Sequence, residues 1–145
     1  MKKLVLVLLA VVLMSGVAFA SQDINKIIDN VSLQTTFRTN TSATSYVGDA
    51  ERVTYFVTYN PSRVGVTADV TAEASLEGVT WGPVYLDYAG VTSPKNILSV
   101  TNTYLLSVPR ELTLPQIRIG VNVPTPSGYG DTDVARVTVT VVEKK

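Results

Sequence analysis

Histidine and cysteine are both missing from this chain of 145 residues. Without them the usual nucleophile–base pairs cannot be built, nor a metal site with nitrogen or sulfur ligands. Disulfides cannot staple the fold, so burial and strand pairing must carry stability even in a compartment that permits disulfides. An excess of either charge is missing too: Lys and Arg number 12, and so do Asp and Glu. All the acidic residues lie beyond position 20, while Lys2 and Lys3 lie before it, so the remainder has a formal charge of −2. That balance gives no reason to expect nucleic acid or an anionic membrane as partner. Methionine occurs only at Met1 and Met14, and Asn-Gly pairs are absent. Those absences suit a durable extracellular material with no oxidisable sulfur, although each is ordinary in a short chain.

One long apolar run is present, Leu4 to Met14. It follows Lys2 and Lys3 and ends in Ala18-Phe19-Ala20, the anatomy of a secretory signal peptide over residues 1–20. The run is shorter than the ~20 residues that span a bilayer, so no transmembrane segment is expected. With no cysteine after it, a lipid-anchored form is not expected either. The protein is expected outside the cell or at its surface, beginning at Ser21.

The rest is dominated by alternation. Val66, Ala68, Val70, Ala72 and Ala74 are separated by polar residues, a strand with one dry face and one wet face. Glu77-Gly78 turns the chain, and Val84, Leu86 and Tyr88 resume the pattern. The alanines leave room for a large neighbour, and Trp81 is the nearest one. Val53, Tyr55, Val57 and Tyr59 form another such face, as do Ile117, Ile119, Val121 and Val123, and Ala135, Val137, Val139 and Val141. Thr39 to Asp49 reads as a polar loop, and Ile97 to Val108 as one strand. The fold class is all-β: an antiparallel β-sandwich, immunoglobulin-like or jelly-roll, of seven to eight strands with a short N-terminal arm. Residues 39–145 form the sandwich domain.

The arm and first strand, residues 21–38, read differently. Ile24, Ile27, Ile28 and Val31 fall at i, i+3, i+4 and i+7, one stripe of a short helix that must dock to persist. From Val31 the period becomes two, through Leu33 to Phe37. These six apolar residues are too much surface to leave in water at roughly 25 cal/mol per Å². They are therefore the assembly-arm candidates: the arm enters the edge of a second copy, or folds back on its own sandwich.

Chemistry has few other places to reside. Asp131 and Asp133 could offer oxygens to calcium, but two alternating aspartates more often mark a loop-to-strand junction. Asn30-Val31-Ser32 and Asn40-Thr41-Ser42 are glycosylation sequons. Tyr46, Trp81 and Tyr129 are the aromatics placed to touch a ligand or partner, with Trp81 expected first as core. Ser75-Leu76-Glu77-Gly78-Val79-Thr80-Trp81 resembles the Ser-x-Asp-Gly-x-x-Trp hairpin of discoidin (coagulation factor five/eight type C) domains. Ile117-Arg118-Ile119 resembles the Arg-Ile strand that follows it there. Glu77 departs from the usual Asp, and the family's N-terminal pattern and terminal cysteines are missing, so the resemblance implies a sandwich more than a ligand.

The functional expectation is a secreted, non-enzymatic structural protein that assembles with copies of itself through the arm, as subunit of an extracellular filament or surface coat. The alternative is a carbohydrate-binding or adhesive module that contacts extracellular glycans. No catalytic residue, metal or cofactor is expected.

Overall fold

The computed structural model describes residues 22–34, 40–48, 50–109, 114–124 and 133–144. Every regular element among them is a strand: β1 (Gln22–Gln34), β2 (Asn40–Tyr46), β3 (Arg52–Pro61), β4 (Ala68–Ser75), β5 (Gly82–Val84), β6 (Leu86–Tyr88), β7 (Val91–Ser93), β8 (Asn96–Leu98), β9 (Asn102–Val108), β10 (Gln116–Asn122) and β11 (Asp133–Lys144). Two open antiparallel sheets pack together. One has the order β1-β11-β3-β9-β6-β7, the other β2-β10-β4-β5 with β8 also on β4.

The dry faces read from the sequence are the interior. Val53, Tyr55, Val57 and Tyr59 of β3 are fully buried, as are Ile117, Ile119 and Val121 of β10 and Val137 and Val139 of β11. The alanines of β4 are buried too, but Trp81 does not fill the space beside them. It is half-buried outside the core, which corrects the expectation of a core tryptophan. The bulk comes from β3 instead. Tyr59 reaches from its own sheet to donate to the Val66 carbonyl, just before β4, at 3.1 Å. Tyr55 reaches Ser45 of β2, at 2.8 Å. A tyrosine can span the layer because its ring is apolar and its tip finds a partner on the far side.

Eleven strands appear where seven to eight were expected, because the chain changes sheets inside runs that alternate without a break. Val84 lies on β5, paired to Ala72 of β4, whereas two residues later Leu86 lies on β6 in the other sheet. Both are buried. Alternation reports which side is dry, not which sheet supplies the neighbour. The run expected as one strand over 97–108 divides likewise into β8, paired to β4, and β9, paired to β3. The expected turn at Glu77-Gly78 is present between β4 and β5, with Gly78 at φ 79°.

Two further expectations need correction. The stretch 39–49, read as a polar loop, contains β2, an edge strand on which only Ser45 is buried. With hydroxyl residues on both faces it carries no alternation to read. The arm is a strand from Gln22 onward, not a helix. Its register against β11 slips between Lys26 and Ile28 and again between Ile28 and Val31. Each slip places an extra residue in β1, the signature of a β-bulge. The second contains Asn30 at φ 47°, a left-handed conformation that asparagine tolerates. Its N–H donates to the Thr138 hydroxyl at 3.0 Å. The second inserted residue spaces the inward Ile28 and Val31 by three, and the first leaves Ile24 on the opposite, exposed face, so the apparent helical stripe is not a single face.

Candidate functional site

Three surfaces are candidates, and each follows from what a strand does with the face it does not bury. The first is the β1 edge. Its first five residues are all exposed, Ile24 among them at 65%, and only Ile28 and Leu33 are buried. Ile27 and Val31 pack half-buried against the core. Within the chain, then, the arm folds back along β11 rather than standing free. Phe37 lies outside the described residues.

The second is the outer face of the six-stranded sheet. Thr and Ser dominate it: Thr54 faces Ser107, and Thr58 faces Thr103, with their hydroxyls 3.3 and 3.0 Å apart. Among the described residues, four apolar side chains interrupt this polar face. Ile24 pairs with Val142, and Phe56 with Leu105, around a groove of about 460 Å³. Sequence reading passed over Phe56 and Leu105. Their signal was an apolar residue in a slot that alternation assigns to solvent.

The third surface is the outer face of the five-stranded sheet, where Trp81 lies. Its ring packs against the Arg118 guanidinium, 4.5 Å from the ring centroid, and its Nε1–H donates to the Gly78 carbonyl at 3.1 Å. Arg118 in turn donates from Nε, at 3.0 Å, and from Nη2 to Oε2 of Glu73, its cross-strand neighbour. The turn is braced by the Ser75 hydroxyl, which accepts from the Glu77 and Gly78 amides. The two segments of the discoidin-like resemblance thus meet: the tryptophan of one packs on the arginine of the other. Beside them Gly120 opens a trough of about 280 Å³.

Tyr46 is 73% exposed at the end of β2, a strand position rather than the expected loop, paired with Gln116. Tyr129 and Asp131 lie outside the described residues. Asp133 begins β11. Among the described residues no three acidic side chains gather where they could hold a metal ion. Of the sequons, Asn30 occupies the β1 bulge and Asn40 is exposed at the start of β2.

Burial pushes the Tyr55 phenol well above its ordinary range, against the opposing effect of its Ser45 hydrogen bond, with a smaller push from Glu143. Burial, with Tyr104 adding to it, pushes Tyr59 up to about 12. Neither is poised to exchange protons near neutrality.

No family model and no curated protein matches the sequence. Among solved structures, the crystal structure of SPBc2 prophage-derived protein YomS is similar in fold, with a TM-score of 0.62 at 10% identity. The match covers 90% of this chain and 98% of that one. At that identity the likeness is one of fold.

Proposed function

We propose that the chain is an exported, non-enzymatic structural protein whose copies assemble by exchanging β1, as the subunit of an extracellular filament or surface coat. The observation that carries this reading is the anchoring of β1. Ten of its thirteen residues pair with one neighbour, β11, through a ladder broken by bulges, and only two of the thirteen side chains are buried. The same ladder forms equally well when a second copy supplies the strand, because main-chain hydrogen bonds do not distinguish the two sources. The exposed Ile24 and the half-buried Val142, which lie side by side, join half-buried Phe56 and exposed Leu105 in an apolar patch that a second copy would cover. The absence of histidine and cysteine fits a role without catalysis.

The cysteine-free chain makes a clean test possible. Ile24 and Val142 are register partners, and paired strand residues lie within the ~4.4–6.8 Å Cα separation that a disulfide spans. The double variant Ile24→Cys/Val142→Cys, oxidised after concentration, should run as a covalent ladder on a non-reducing gel. Negative-stain images of the reduced protein should show filaments or sheets. Intrachain disulfides alone, with a monomer at every concentration, would refute the exchange.

A further inference from the structure

Gly120 stands in the middle of β10, in register with Ser42 of β2 on one side and Thr71 of β4 on the other. A glycine inside a strand costs about 0.5–1 kcal/mol relative to alanine, and nothing in the local structure demands one here. Its φ is not positive. A Cβ at this position would meet only the Thr71 hydroxyl, at 3.4 Å, which is van der Waals contact. What the missing side chain does is leave the outer face of the sheet hollow. The hollow has Arg118 and Glu73 at one end, Asn40 and Asn122 at the other, and Ser42 and Thr71 along its sides. A glycine inside a strand often marks the place where a ligand approaches the backbone closely.

We propose that this trough binds one ring of a neutral saccharide. Amides and hydroxyls line it, groups that both donate and accept, as sugar hydroxyls require. Among the described residues the one cation in the lining is paired to the one anion, so they present no net charge to select an anionic ligand. The Nε and Nη2 hydrogen bonds of that pair both end on Glu73 Oε2. Glu73 Oε1 therefore serves a sugar as acceptor, and Arg118 Nη1 as donor. Trp81 is a positioning residue: anchored through the Gly78 carbonyl, it holds the guanidinium from the other side. A set of donors fixed in advance loses less entropy when the ligand arrives. The volume, about 280 Å³, lies just below the roughly 300–1,000 Å³ of small-molecule pockets, and suits a single ring of a longer chain.

The test is amide chemical-shift titration of labelled protein, residues 21–145, with maltohexaose, cellohexaose, chitohexaose and a heparin-derived hexasaccharide. At least one neutral probe should move the Gly120, Thr71 and Asn122 amides in a saturable way. Gly120→Val should fold with an unchanged or higher melting temperature, since valine favours strands, yet bind that probe at least ~10-fold more weakly, a change of about 1.4 kcal/mol. Trp81→Ala should weaken binding less, because it loosens Arg118 without filling the hollow. The proposal fails if no neutral probe moves those amides, if only the heparin fragment does, or if Gly120→Val binds as well as the parent.

Discussion

Replacing Ser45 by alanine should destabilise the sandwich more than removing the tyrosine hydroxyl that Ser45 serves. The reason lies in the direction of the bonds. Ser45 has one hydroxyl hydrogen, and it goes to the Ile117 carbonyl at 3.2 Å. The Tyr55 hydroxyl, 2.8 Å away, must therefore be the donor to Ser45 Oγ. Tyr55 is fully buried, so Ser45→Ala strands its O–H where water cannot reach it. A stranded buried donor costs about 1–3 kcal/mol, whereas losing one ordinary hydrogen bond costs about 0.5–1.5. Tyr55→Phe deletes the donor and leaves Ser45 bonded to Ile117, so it falls in the lower range. The double variant removes both partners and should be more stable than Ser45→Ala alone. Urea denaturation of the four proteins, with unchanged slope, measures each difference, and a domain stability of about 5–15 kcal/mol leaves room to see them. Additive single effects, or a Tyr55→Phe cost larger than that of Ser45→Ala, would refute this account of the contact between the sheets.

Two other outcomes follow from the same interior. Tyr59 in the folded chain is pushed up to about 12, chiefly by burial, against about 10 when unfolded. Its neutral form is thus favoured by folding: the contribution is complete below pH ~10 and is lost as pH rises from ~10 to ~12, about 2–3 kcal/mol in all. Melting temperature should fall across that window and fall less in Tyr59→Phe; a flat profile refutes the assignment. Trp81→Ala should cost about 1–2 kcal/mol, one hydrogen bond plus a half-exposed ring on arginine, and a loss of ~3–5 kcal/mol, typical of a core tryptophan, would put the ring back inside.

How far the fold could be read before it was seen depends on what alternation encodes. It reports the side of a strand that is dry, and for β3, β10 and β11 that was enough, since each keeps one face inward along its length. It is blind to a chain that crosses between sheets while its dry side still faces the same interior, which is what happens at Tyr85. It is also broken by bulges, so β1 imitated a helix. Trp81 was misplaced because size and hydrophobicity favour the core, while its position depends on Arg118, which is 37 residues away in sequence. Tyr46 was legible as an accessible aromatic. The trough was not, because it is made by a missing side chain between neighbours that only the register of β2, β4 and β10 brings together.

The two proposed activities use different strands, and that separation decides how they combine. Exchange of β1 moves residues 22–34, none of which lines the trough. The trough belongs to β2, β4 and β10, which stay in one sheet of one copy. Each subunit of an exchanged assembly therefore keeps its own saccharide site. A shallow site for one ring is weak in isolation, but repetition along an assembly turns weak contacts into avid ones when the ligand is itself a repeating chain. A fold with no histidine and no cysteine can in this way work as an adhesive surface: β1 supplies the repetition and the hollow at Gly120 supplies the contact.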